Sequence, residues 1–119
     1  MKAFLWVFLG GGIGSMGRYA LALWLKRFAS AFPIHTLAVN LLGCLLIGFL
    51  SGYLAKHANP SASLLLVTGF CGGFTTFSTF SLESLTLFNT GHSTMAMVYI
   101  ATSFIVCLAA TAAGLSLCK

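Results

Sequence analysis

Apolar residues fall into four long blocks along this chain, Ala3 to Leu25, Thr36 to Ala55, Ser63 to Phe88 and Met95 to Leu117, separated by short polar connections. Each block is near or above the ~20 residues that a helix needs to cross a bilayer. The connections, Lys26-Arg27 through Pro33, Lys56 through Pro60 and Asn89 through Thr94, leave no stretch for a soluble domain. The pattern predicts an all-α integral membrane protein: one domain over residues 1–119, with four transmembrane helices at about 3–25, 36–55, 63–88 and 95–117. Composition agrees, with 59% hydrophobic and 6% charged residues, where soluble domains carry roughly 25% charged. Lys2 ahead of an apolar run resembles the start of a signal peptide. That run outlasts the ~7–15 residues of such a segment and lacks an Ala-x-Ala cleavage site, so it reads as a mature helix.

The third block is not a plain anchor. Gly69-Phe-Cys-Gly-Gly-Phe-Thr-Thr-Phe-Ser-Thr-Phe-Ser81 holds three glycines, five hydroxyls and four phenylalanines. Gly72-Gly73 weakens the helix at its middle, and irregular backbone at membrane depth is tolerated only where it is buried in protein or lines a polar cavity. On a regular helix Phe74, Phe77 and Phe80 share one face, with Thr76 and Thr79 in a second row. Alone, such a stripe is core packing. Interleaved with Thr75, Thr76, Ser78, Thr79 and Ser81, it also fits a path for an anion, because ring edges are the positive ends of the aromatic quadrupole.

Other polar residues sit inside the blocks. Asn40, one turn beyond Thr36, offers two amide donors that can replace water around an anion or bond a neighbouring helix. Arg18, beside Tyr19, can snorkel to the interface or supply positive potential at a pore mouth. Tyr99, Thr102 and Ser103 in the fourth block can continue a donor track. Paired carboxylates are absent, no nucleophile has a neighbouring histidine, and the single acid, Glu83, lies near the end of its block. Neutral donors suit a passive path for a small anion rather than catalysis.

Two patterns need a structural reading. Gly12-Ile-Gly-Ser-Met-Gly17 matches G-x-G-x-x-G, but no acid about 20 residues on could hold a ribose. The pairs Gly10/Gly14, Gly48/Gly52 and Gly69/Gly73 have the small-xxx-small spacing that lets helices approach closely in lipid, within the chain or with another copy. Cys44, Cys71, Cys107 and Cys118 lack metal-site spacing and read as small buried residues. His35, His57 and His92 fall in the connections, in solvated or capping roles.

Charge bears on orientation. With four spans, Lys2, Lys56 and Lys119 share one side, while Lys26 and Arg27 lie on the other with Arg18 pointing towards it. Near-balance of basic residues permits insertion both ways round, and opposite copies could pair about a two-fold axis in the membrane plane.

The stretch from Gly69 to Ser81, extended through Leu82-Glu83, together with Gly10-Gly11-x-x-Gly14-x-x-x-Arg18-Tyr19 and Thr36-Leu-x-Val-Asn40-x-x-Gly43, resembles the signature of the Fluc (CrcB-type) fluoride channels. The resemblance covers the whole chain. It implies a four-helix channel with a break in the third helix, an antiparallel dual-topology homodimer with two pores, and export of fluoride that enters acidified cells as HF. It places the protein in the cell membrane. By motif position it implies a fluoride pathway of Asn40, Phe77, Phe80, Ser78, Thr79, Tyr99 and Ser103, with Arg18 in a vestibule. It further implies a structural sodium ion on the dimer axis, held by the backbone carbonyls of Gly72 and Thr75. His35 stands where a smaller residue such as Gly is expected, and Cys107 stands where a hydroxyl would continue the track. A proton-coupled, dual-topology multidrug exporter of the same size would need a carboxylate in the first helix, which holds none.

Overall fold

A computed structural model describes residues 1–28 and 30–119. Among the described residues the chain is almost entirely helical. Helix α1 (Lys2–Leu25) closes with a 3₁₀ turn (Lys26–Phe28), α2 spans Ile34–His57, and α3 covers 60–74. After a two-residue break come α4 (Phe77–Asn89) and α5 (Ser93–Ser116). Within α3 a π-helical run, Ser63–Cys71, is flanked by short α turns. Asn59 caps the start of α3, its side chain accepting the Ala62 N–H at 3.0 Å, with Pro60 in the first turn where a missing donor costs nothing. Gly91, at φ +82°, makes the left-handed turn between α4 and α5.

Among the described residues, three stretches are long and apolar enough to cross a membrane: Ile34–His57, Pro60–Asn89 and Ser93–Ser116. The 24-residue α1 falls short on hydropathy because it carries five glycines and Arg18. Gly10, Gly11, Gly12, Gly14 and Gly17 would weaken a helix in water by up to ~1 kcal/mol each. Gly10 and Gly14 are where close packing requires them, whereas a Cβ on Gly12 would meet open space. The molecule is 48 Å long, more than the ~30 Å of a hydrocarbon core.

Two helix pairs form the framework. α1 lies along α3 and runs the same way: a Cβ on Gly14 would meet the Phe70 carbonyl and come within 2.9 Å of Phe74 N, and one on Gly69 within 2.9 Å of Gly10 Cα. α2 lies along α5 in the same manner, where a Cβ on Gly114 would come within 2.7 Å of Phe49 N and one on Gly52 within 2.8 Å of Cys118 Cβ. The expected glycine pairs are therefore consumed inside the chain, Gly10/Gly14 against Gly69/Gly73 and Gly48/Gly52 against α5. The close approach they permit supplies the dispersion contacts that hold helices together in lipid. Phe80, Leu87, Ala96 and Tyr99 form the buried cluster where α4 meets α5.

The break is not at Gly72-Gly73, which stay helical. It falls at Thr75 (φ −78°, ψ 157°) and Thr76 (φ −148°, ψ 116°), both extended. Gly73 is instead required where a Cβ would lie 3.0 Å from Gly11 Cα. The break interrupts the expected phenylalanine face. Phe74 precedes it and stacks on Phe70 at 5.6 Å, while Phe77 and Phe80 follow it on another helix.

Candidate functional site

Breaking a helix at membrane depth frees backbone groups that must find other partners. Asn40, on α2, meets this need. Its Nδ2 donates to the Thr76 carbonyl at 3.0 Å and its Oδ1 accepts the Thr76 N–H at 2.8 Å, so the side-chain amide pairs with the backbone as a neighbouring strand would. The second Nδ2 proton is left over from this pairing. Thr76 then caps α4, its Oγ1 accepting the Thr79 N–H at 3.2 Å and donating to Thr79 Oγ1 at 3.1 Å, with Ser78 Oγ 3.3 Å away.

Two cavities flank this junction. The first, of about 270 Å³, is lined by Asn40, Thr76, Phe77, Phe80, Ser103 and Cys107, among others. Phe77 and Phe80 lie with ring centroids 5.6 Å apart and planes tilted by 43°. Phe80 is 7% exposed, seated against Tyr99 at 5.2 Å and Phe104 at 6.2 Å, whereas Phe77 is 71% exposed. Ser103, 7% exposed, has a buried hydroxyl without a hydrogen-bond partner. An orphaned buried hydroxyl costs about 1–3 kcal/mol, and this one lies on the wall of a cavity.

The second cavity, of about 250 Å³, is lined by Arg18, Lys26, His35, Thr36, Thr76 and Thr79, among others. Glu83 stands beside it. Its Oε1 accepts from Thr36 Oγ1 at 2.8 Å and lies 3.1 Å from His35 Nε2, and its Oε2 accepts from the Tyr99 hydroxyl at 2.8 Å. His35 is thus not a solvated connection residue. It occupies the first turn of α2 and faces the chain's single acid. His57 and His92 do keep local roles, bonding the Tyr53 carbonyl and the Thr90 hydroxyl.

The structure brings Asn40, Phe77, Phe80 and Ser103 to one cavity and Thr79 and Arg18 to the other. Ser78 lies at the junction between them. Tyr99 lines neither, being fully buried with its hydroxyl committed to Glu83. Sequence reasoning set Glu83 aside and gave Thr36 and His35 no site role. A signal was present: Thr36/Asn40, Thr79/Glu83 and Tyr99/Ser103 are each spaced i, i+4, which puts each pair on one face of its helix.

Gly72 and Thr75 can be tested as carbonyl ligands. In an unbroken helix the Gly72 carbonyl would accept the Thr76 N–H and the Thr75 carbonyl the Thr79 N–H. Those N–H groups go instead to Asn40 Oδ1 and Thr76 Oγ1. Both carbonyls therefore lose their ordinary partners, and Gly72 is exposed with open space on its Cβ side. The pair fits a hard cation that takes neutral oxygen ligands.

Comparison with known proteins agrees over the full length. The family described as CrcB-like protein, Camphor Resistance (CrcB), matches residues 5–115. A protein of Rhizobium etli (strain CIAT 652) named fluoride-specific ion channel FluC is 46% identical, covering 100% of this chain and 97% of its own. Proteins of the same name from Flavobacterium psychrophilum and Agrobacterium fabrum are 41% and 48% identical. They cover 100% and 91% of this chain, and 98% and 89% of their own.

Proposed function

The chain belongs to the CrcB-like family, and we propose on that premise that it is a fluoride-selective channel, a passive path by which fluoride leaves the cell, and not an enzyme. The observation that carries the reading is the cavity that Ser103, whose buried hydroxyl has no partner, lines together with Asn40, Phe77 and Phe80. Fluoride is small and strongly hydrated, so a selective path must return its hydration energy through close donors. Ser103, the spare Asn40 proton, Ser78 and Thr79 supply neutral donors, and the phenyl edges supply positive potential without a proton to lose. Arg18 raises the local anion concentration at the second cavity. Tyr99 takes part by orienting Glu83.

In this reading all of α1, α2, α3 with α4, and α5 cross the cell membrane as a single domain. α1 has no acid, which leaves a proton-coupled exporter without its carboxylate. A second, oppositely inserted copy completes the channel. The exposed Phe77 and the half-open cavity beside it give that copy a surface to cover, since the glycine pairs are already used within the chain. Gly72 and Thr75 from each copy would hold a sodium ion between them, which contributes cross-linking charge at the interface and no chemistry of transport.

Purified protein in liposomes tests this directly. Fluoride should leave fluoride-loaded vesicles while chloride stays; comparable chloride release, or no fluoride release, would overturn the channel reading. Carboxyl-terminal tags should report from both membrane faces, and two or three lysines added to one connection should trap one orientation and abolish flux until an oppositely trapped copy is supplied. Tags confined to one face of a conducting preparation would remove the antiparallel pair alone.

A further inference from the structure

The four cysteines are free thiols, and the fold treats them differently. Cys71 is fully buried, and Cys118 donates to the Phe49 carbonyl at 3.2 Å, so both are used in packing. Cys44 and Cys107 are half-buried, and both line the cavity of about 270 Å³. We propose that Cys44 and Cys107 together bind a soft, two-coordinate metal ion of the mercuric type, and that an ion held there closes the fluoride path. Closure rests on the fluoride-channel reading; binding does not.

Helix register sets the two thiols opposite each other. α2 and α5 run side by side in the same direction, and a Cβ on Gly48 would meet the Thr111 carbonyl and come within 3.1 Å of Leu115 N. One turn earlier on each helix the same register pairs Cys44 with Cys107. The thiols are near enough to interact directly. One further turn back stand Asn40 and Ser103, which share the faces of Cys44 and Cys107 and line the same cavity. The Ser103 hydroxyl is buried and has no partner. A polar group left open on a cavity wall marks a space that a polar or ionic ligand enters, unlike an apolar void that stays dry.

The donor set selects the ion. Soft thiolates select soft metals, and the thiolate, not the thiol, is the ligand. Each sulfur forms one bond to Hg²⁺ and gives up one proton, so the product is a neutral bis-thiolate with two protons released to water. No oxidation state changes. A monovalent soft ion such as Cu⁺ between two thiolates would leave a net negative charge, which is costly at membrane depth. Zinc takes four ligands in a closed site, and among the described residues no group of three or more His, Cys, Asp or Glu comes together. An ion between Cys44 and Cys107 lies one turn from Asn40 and Ser103, inside the cavity that fluoride is proposed to use.

Mercuric chloride is the probe, added to reduced protein in detergent with a small monothiol in excess. Two thiols held on one wall act as a chelate and keep the ion against such a competitor, whereas a single thiol surrenders it. The C71S/C118S variant keeps Cys44 and Cys107 as its remaining thiols. It should hold one ion per chain and show the ultraviolet absorption of a metal thiolate. Adding C44A or C107A should weaken binding by more than about 100-fold, since losing even an outer-shell partner of a metal costs about 10–100-fold. If C71S/C118S does not fold, C44A and C107A in the otherwise unchanged chain carry the same comparison. In liposomes, fluoride efflux should stop at one ion per chain and recover when a dithiol removes it, while efflux through C44A should not respond to the ion. Retention of the ion by C44A and C107A, or equally ready loss from C71S/C118S, overturns the site. A retained ion with unchanged efflux overturns closure. Absence of fluoride efflux from folded protein before any ion is added removes the channel reading and closure with it, and the binding comparison still decides the site.

Discussion

Replacing Asn40 by Asp changes one NH₂ for one oxygen and acts on both tasks of the residue. The Thr76 N–H keeps its acceptor, now a charged one. The Thr76 carbonyl loses the Nδ2 donor that lay 3.0 Å away and faces an anionic oxygen in its place. Leaving that buried carbonyl unpaired costs about 1–3 kcal/mol, enough to loosen the break without unfolding the helices around it. The effect on the ion is larger. An anion within hydrogen-bonding reach of position 40 would lie about 4 Å from the new charge, and like charges at that separation repel by about 4 kcal/mol at an effective dielectric constant of about 20. At about 1.4 kcal/mol per decade, fluoride flux should fall roughly a thousandfold. A fluoride electrode following efflux from liposomes reads this, with gel filtration in detergent to check that the protein remains folded. Flux within a few-fold of wild type would refute the reasoning and reduce Asn40 to a packing residue that holds the break.

Phe77→Ile should leave the stability of the single chain almost unchanged, because the ring is largely exposed within it. Phe80→Ile should cost about 1–2 kcal/mol through lost contact with Tyr99 and Phe104. Both should greatly slow fluoride efflux, and normal flux in both would remove the ring-edge role. Ser103→Ala deletes a buried hydroxyl that has no partner, so thermal stability should hold or rise by up to about 1 kcal/mol while flux falls; lost stability with normal flux would place the hydroxyl in packing instead. Gly14→Ala forces a methyl group into the Phe70 carbonyl and Phe74 N, and should separate α1 from α3 and lower the melting temperature sharply. A melting temperature matching wild type would contradict the close crossing described here.

The sequence by itself determined the all-helical membrane class, because that follows from block length and hydropathy, both local properties. It also placed the helices closely: the blocks at 36–55 and 95–117 correspond to Ile34–His57 and Ser93–Ser116, the differences lying in turns whose capping depends on the backbone. The motif around Gly69 to Glu83 marked the family. What tertiary structure alone decided is how those helices use one another. A glycine pair reads as a weak point when only its own helix is considered, so the break was expected at Gly72-Gly73. It falls at Thr75-Thr76 because a side chain 36 residues away takes over both backbone bonds of Thr76. Glu83 looked peripheral by its position in a block, yet hydroxyls from α2 and α5 converge on it. Propensity and periodicity act over a few residues, whereas satisfaction of buried polar groups is settled between helices, and in lipid no water stands in for a missing partner.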